Sequence, residues 1–191
     1  MKRFITFAVV LMTAVLGVNA EDYDTPDNEI AVGVGFGTHP FIGVGLASAI
    51  IDAFEDAEDT ATGAYSISYL RNLNSHIAIG ATGVYEYMYS KNDDGKKTSD
   101  SFITLMPTAR AYWFRTGMFG MYSRLAAGVS LSMYEDYKDG STTEIENKSE
   151  ALFAFHVAPV SFEVGSDKFS GFLELGYGYQ GLVNAGVKFG F

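Results

Sequence analysis

The sequence contains no cysteine, only four prolines and a single tryptophan among its 191 residues. Without cysteine neither a disulfide framework nor a lipid anchor on a cysteine can form, so packing and backbone hydrogen bonds must hold the fold together. Basic residues are also scarce, because 13 Lys and Arg stand against 23 Asp and Glu for a net charge of -10. A chain this acidic is not expected to bind nucleic acid.

Long apolar runs are absent except at the N-terminus. "MKRF" is a short cationic start, Ile5 to Val18 is apolar, and "VNA" ending at Ala20 has the pattern that a signal peptidase reads. We therefore predict a signal peptide over residues 1–20 and one mature domain over 21–191, secreted to the periplasm. A membrane anchor is the alternative, but the run is shorter than the roughly 20 residues that a spanning helix needs. No later run is long enough either, so a membrane protein with this sequence would have to be a barrel.

What the mature sequence has in abundance is alternation. Glycine (21 residues), Tyr (12) and Phe (15) are frequent, and apolar residues recur with period two, which predicts β-strands. In the sixth run the apolar residues change phase near Pro159, where we expect a β-bulge. The eight alternating runs cover residues 29–37, 64–70, 76–89, 101–114, 119–133, 151–164, 169–179 and 183–191.

The connections between the runs fall into two classes. Those at 71–75, 115–117 and 165–168 are short and turn-like, whereas those at 38–62, 90–100 and 135–149 are long. Short turns at one end and long loops at the other are the layout of an up-and-down outer-membrane barrel. The fold class we predict is therefore all-β, an eight-stranded antiparallel transmembrane β-barrel.

The less apolar face of each run decides which side is inside. A soluble lipocalin-like binder would turn its apolar face inward and carry many charges outside, but here the second face is mostly Gly, Ala, Ser and Thr with about one charge per strand. Small residues suit a narrow lumen, and buried charges of mixed sign require partners. The predicted lumenal polar network consists of Glu86, Arg110, Arg124, His156, Glu174, Asn184 and Lys188.

Aromatic residues lie near both ends of the apolar face. Two aromatic belts around an aliphatic band are typical of membrane interfaces, although the same rings could also pack in a dry core. The residues that we assign to these belts are Tyr85, Tyr87, Trp113, Phe119, Tyr177 and Tyr179.

Segments such as "TLMPTARAYWFR", "FGMYSRLAAGVS" and "GFLELGYGYQGLVNAGVKFGF" give the mature chain a resemblance to known proteins. With the signal peptide and the eight alternating runs, it resembles the small bacterial outer-membrane β-barrel proteins of the OmpX and OmpA kind, in a branch whose members are called porins. The resemblance implies outer-membrane lipid as surroundings and insertion by the barrel assembly machinery. It also implies that a terminal strand ending in an aromatic residue is the assembly signal, here Val187, Phe189 and Phe191.

Two features lie in the connections. Apolar residues at helical spacing in "PFIGVGLASAIIDAFEDAED" predict a short amphipathic helix over residues 43–57, either covering the barrel mouth or acting as a plug or binding element. The first and third long connections are acidic, and they form a solvated rim, a cation bridge or a contact for an extracellular partner. The acids concerned are Asp52, Glu55, Asp56, Glu58, Asp59, Glu135, Asp136, Asp139, Glu144 and Glu146.

Signals for catalysis are weak. No nucleophile elbow, phosphate loop or paired-His metal motif is present, and His39, His76 and His156 fall in different segments, so we assign no catalytic, cofactor or metal residues. The function we expect is that of an integral outer-membrane barrel with a side-chain-filled lumen and a structural, surface-interaction or membrane-integrity role. A lipid-modifying enzyme, a narrow porin and the soluble binder are the alternatives.

Overall fold

The computed structural model describes residues 25–38, 61–91, 97–137 and 145–191. The predicted signal peptide and the predicted helix 43–57 lie outside these ranges. Within them, no helix is long and apolar enough to cross a membrane. The strands are β1 (Asn28–Phe36), β2 (Ala61–Asn72), β3 (Ile77–Lys91), β4 (Lys97–Arg115), β5 (Phe119–Tyr137), β6 (Ile145–Gly165), β7 (Phe169–Gly178) and β8 (Val183–Gly190).

These strands form a closed antiparallel barrel in which each strand pairs with its neighbours in sequence and β1 pairs with β8. The barrel is therefore of the up-and-down type, as the sequence predicts. We call the end that carries the short connections 73–76, 116–118 and 166–168 the turn end. The opposite end, with the long connections and the tight turn at 179–182, is the loop end.

The β-bulge expected near Pro159 is confirmed. Tyr122 pairs with Ser161 and Arg124 with Ala158, so two residues of β6 stand opposite one residue of β5. The register between β6 and β7 shifts at the same place, between Val157 and Val160. Since side chains alternate with period two, this extra residue moves the later part of β6 into the opposite phase.

The strand bounds differ from those predicted at the loop end. Strands β4, β5 and β6 contain 19, 19 and 21 residues, so the connections predicted at 90–100 and 135–149 are too long. The sequence predicts a loop at Glu135, Asp136 and Glu146, but the backbones of these residues belong to the paired part of β5 and β6. This part of the sequence is polar on both faces, and an apolar alternation is therefore missing there.

Candidate functional site: the barrel interior

Charge balance is the first property of the interior. Among the described residues, four buried carboxylates stand against four buried basic groups. The eight side chains are Glu29, Glu86, Glu163 and Glu174 with Arg110, Arg115, Arg124 and Lys188.

Arg124 and Glu174 form the centre of one cluster, which we call the central cluster. One guanidinium nitrogen of Arg124 donates to Glu174 Oε1 at 3.0 Å, and the other donates to the hydroxyl groups of Ser68 and Thr82 at 2.6 Å each. The cluster thereby connects β5 to β7 across the lumen and to β2 and β3. Two neutral donors complete the hydrogen bonding of the Glu174 carboxylate, Tyr122 at 2.8 Å and Asn184 at 2.9 Å.

A second cluster, the turn-end cluster, lies nearer the turn end. Arg110 pairs with Glu29, and Lys188 Nζ lies 3.4 Å from Glu29 Oε2 and 2.5 Å from Glu163 Oε1. The Tyr112 hydroxyl donates to Glu163 Oε2 at 2.8 Å. These five residues join β1, β4, β6 and β8, and so they connect both sides of the seam that closes the barrel.

Stacked cations and rings join the two clusters. The Arg110 guanidinium lies 4.5 Å from the centre of the Tyr122 ring, and the Tyr112 and Tyr122 ring centres are 5.2 Å apart. Arg115 stacks on the other ring, 4.3 Å from the centre of Tyr112. Arg110, Arg124, Tyr112, Tyr122 and Lys188 are among the largest fully buried side chains, so bulky groups fill this half of the lumen.

An apolar layer lies on the loop side of the central cluster. Its members are in mutual contact and come from five strands and the β7–β8 turn: Ala64, Val84, Met106, Ala126, Ala154 and Tyr179. Successive inward positions along β3 are Thr82 in the central cluster, Val84 in this layer and then Glu86. Glu86 is therefore separated from the ion pairs of the other half.

The predicted network is thus divided in the structure. Arg124, Glu174 and Asn184 meet in the central cluster, and Arg110 and Lys188 belong to the turn-end cluster. Glu86 is buried but joins neither cluster, and its carboxylate accepts a hydrogen bond from Thr38. Both ring nitrogens of His156 are buried without a hydrogen-bond partner.

Sequence reasoning did not assign several members of the clusters. Glu29 lies two residues before inward Ala31, and Tyr112 two residues after Arg110, so parity alone could have found both. Predicting Glu163 requires the β-bulge in addition to parity, because the inward direction of its side chain depends on the phase change at Pro159.

The predicted aromatic belt is wrong at Tyr179, which is only 4% exposed and lies in the interior. Strand β7 ends at Gly178, whose φ of 132° starts the turn, so the alternation does not continue to Tyr179. Trp113 is half-buried beside an irregularity between Tyr112 and Phe114, and Phe114 is exposed instead. The other four residues are exposed or half-buried on the outer face: Tyr85, Tyr87, Phe119 and Tyr177.

The residues predicted as an assembly signal lie on the outer face at the seam. Val187, Phe189 and Phe191 are exposed, while Lys188 between them points inward. Beyond the end of β8, the backbone N–H and C=O of Phe191 both bond to Asn28 at 2.9 Å. Their role in assembly stays a prediction.

The exterior carries the apolar side chains that a water-soluble protein would bury. Ile67 is 60% exposed, Leu105 63% and Phe153 73%, each from a different strand. Monomers in water rarely expose continuous apolar surfaces beyond a few hundred Å². In a closed barrel the strands satisfy one another's backbone hydrogen bonds, so no sheet edge is exposed to lipid across the span. An apolar outer face and a charged interior therefore suit a barrel that crosses a membrane. Fold and surface together define the class, a transmembrane β-barrel of eight strands.

No family model matches the chain, and none of the curated proteins matches it. Among solved structures, the N-terminal β-barrel domain of Pseudomonas aeruginosa OprF is 13% identical with a TM-score of 0.42, and the match covers 86% of this chain and 96% of that one. Ail, the attachment invasion locus protein of Yersinia pestis, in complex with the heparin analogue sucrose octasulfate, is 8% identical with a TM-score of 0.44, covering 85% and 94%. A second structure of Ail is 14% identical with a TM-score of 0.39, covering 84% and 91%.

The histidines of the described residues are poorly placed to act on lipid. His156 points into the closed lumen, and His76 lies half-buried in a turn beside the Ser75 hydroxyl. No group of three or more His, Asp or Glu side chains with metal-binding geometry occurs in the described part of the chain.

Proposed function

We propose that the protein is an integral barrel of the bacterial outer membrane that anchors a β-sheet platform outside the membrane for contact with a macromolecular partner. The turn end would face the periplasm, from which the barrel assembly machinery inserts the chain. The platform consists of the loop-end parts of β4, β5 and β6.

The difference in strand length carries this proposal. A tilted strand crosses a bilayer with about 9–11 residues. Strands β1, β7 and β8 contain 9, 10 and 8 residues, whereas β4, β5 and β6 contain 19, 19 and 21. The three long strands therefore extend far beyond what spanning requires, and their backbones stay paired up to Tyr137 and Ile145.

One side of the platform is an open edge in the described part of the chain. Pairing between β6 and β7 begins only at His156 and Gly178, so the part of β6 from Ile145 to Glu150, beyond the lipid-facing Phe153, has a described strand partner on its β5 side alone. At about 3.3 Å per residue this edge is roughly 20 Å long. Unpaired strand edges readily accept a strand from another chain.

The lumen supports anchoring over transport. An eight-stranded barrel is just wide enough for its own side chains, and here both ionic clusters and the apolar layer occupy the interior. The same filling argues against the lipid-modifying enzyme, because His156 has no described route to the lipid face.

Labelling of single cysteines in intact cells tests the topology, since the natural chain has none. A membrane-impermeant maleimide should label Ser149→Cys on the platform of whole cells. It should label Ser75→Cys in the β2–β3 turn only after the outer membrane is permeabilised. Labelling of both sites in the soluble fraction, or the reverse accessibility, would contradict the proposal.

Photocrosslinking tests the platform itself. A benzophenone amino acid at Glu150, exposed on the open edge of β6, should form a crosslink to another polypeptide in intact cells. The matched probe at Leu105, exposed on the barrel wall, should contact lipid and yield no protein adduct. If the two positions give the same pattern, the platform has no partner.

A further inference from the structure

Glu86 is the one buried carboxylate among the described residues that has no basic group against it. Glu29 pairs with Arg110 and Lys188, Glu163 with Lys188, and Glu174 with Arg124. A buried charge without a counter-charge is strongly disfavoured. Glu86 is only 2% exposed, so water does not compensate for it directly.

The hydrogen bonds of this carboxylate are also incomplete. Thr38 donates to Oε1, while Oε2 is buried and has no partner. Protonation would neutralise the charge, but Oε2 would still need a hydrogen-bond partner of its own. Oε2 is therefore available for contact with a bound ion.

Two further polar side chains, Tyr179 and Gln180, lie at the same end of the barrel as Glu86. The Tyr179 hydroxyl is hydrogen-bonded to Ser130, and burial raises the pKa of Tyr179, with the nearby negative charge of Glu86 adding to the rise. Gln180, in the turn at the same end of the barrel, is 1% exposed, and neither its amide oxygen nor its amide nitrogen has a partner. Carboxylate, hydroxyl and amide oxygens are the ligands of hard cations.

Charge in the sequence also favours a cation at this end. Residues 39–60, which follow Thr38, contain five acids and no Lys or Arg. A concentration of one sign of charge raises the local concentration of counter-ions. The apolar layer below Glu86 separates it from the guanidinium groups of the central cluster, so they do not neutralise it.

We propose that Glu86, with the Thr38 hydroxyl, binds a small hard cation such as Ca²⁺, Mg²⁺ or Na⁺ at the loop end of the lumen. The cation supplies the missing charge and the missing contact of Oε2. The site is independent of the platform function, since it lies inside the barrel.

Thermal unfolding of the refolded full chain in zwitterionic micelles tests the site. At constant ionic strength, the midpoint of the wild type should rise as choline chloride is replaced by CaCl₂, MgCl₂ or NaCl, and the three arms identify the preferred ion. Glu86→Gln keeps the shape of the side chain, so this variant should fold and lose the cation-dependent shift. Thr38→Val should reduce the shift, and Glu58→Gln, which changes an acid of the first long connection, should keep it.

Two results of the unfolding experiment would overturn the site. One is a midpoint that no cation changes in the wild type, and the other is an equal shift in the wild type and Glu86→Gln, which would place binding on the acidic connections. Equilibrium dialysis with radioactive calcium provides a direct count, and Glu86→Gln should bind one ion fewer per chain. An infrared band of a protonated carboxyl group that disappears in Glu86→Gln would assign a proton instead of a cation.

Discussion

Arg124 has exchanged water for hydrogen bonds to Glu174, Ser68 and Thr82. Both side chains are buried, so water cannot replace Glu174 as the partner of Arg124, or Arg124 as the partner of Glu174. The stability of the barrel at this position therefore depends on keeping both charges together, and less on the net strength of the pair.

Replacing Glu174 by Gln should destabilise the barrel strongly, because it leaves the buried Arg124 guanidinium without its counter-charge. Breaking a buried ion pair from one side typically costs about 3–5 kcal/mol. Urea unfolding in micelles, followed by tryptophan fluorescence, gives the free energy of unfolding. The control is Glu86→Gln in choline chloride, which removes a carboxylate that has no basic partner and should be neutral or stabilising. Equal losses in the two variants would contradict the assignment of the pairs.

Glycine at position 186 permits close packing of β8 on β1. A methyl group there would meet the Val32 backbone oxygen and lie 2.7 Å from Phe172 Cζ. Gly186→Ala should therefore cost about 1–3 kcal/mol through overpacking. Gly83→Ala is the matched control, because its added methyl would find its nearest neighbours at 3.7 Å and 4.0 Å, which is ordinary contact. The same urea experiment measures the free energy of unfolding of both variants. If Gly186→Ala has no effect on it, β1 and β8 can move apart without loss of stability.

At the scale of single elements, the sequence predicts a strand well where one face meets lipid. Alternation located all eight strands and the phase change of β6, since the apolar face must stay continuous. It failed at the loop ends of β5 and β6, because the sequence there is polar on both faces and no apolar alternation marks the strands. It also failed at Tyr179, where Gly178 ends the strand and turns the chain inward.

The interior was only partly predictable for a related reason. Parity gives the direction of a side chain but not its height in the barrel, and height depends on how the strands are staggered. The direction of Glu86 was therefore available from the sequence. Its separation from Arg124 by the layer that contains Val84 was not, because that layer assembles residues from five strands and a turn.

Deleting Pro159 tests the bulge of β6. The extra residue gives Ser161 and Glu163 their inward direction, and removing it would turn both toward lipid. Charged groups in the apolar band are costly, and Lys188 would lose its partner at 2.5 Å. We expect the deletion variant to give no folded, heat-modifiable band on electrophoresis. Pro159→Ala keeps the residue count and should fold, and folding of both variants would mean that the bulge can move along the strand.

At the scale of the whole molecule, the interior is closed in successive layers. The turn-end cluster, the central cluster and the apolar layer lie one above another, and each contains large or tightly packed side chains. Closure by several layers differs from closure by one gate, since opening a single layer leaves the others in place.

The purified protein in a planar bilayer should therefore give no steady conductance steps. The double variant Arg124→Ser/Glu174→Ser removes the central ion pair while keeping the charge balance, so the cost of an unpaired charge does not arise. We expect it to remain closed, because Arg110, Tyr112 and Lys188 still fill the turn end. Sucrose-loaded liposomes provide a second measurement, in which liposomes containing either form should release the sugar no faster than liposomes without protein. Conductance steps in the double variant alone would show that the central cluster is the one layer that closes the lumen. Conductance steps in the wild type would favour the porin as the function.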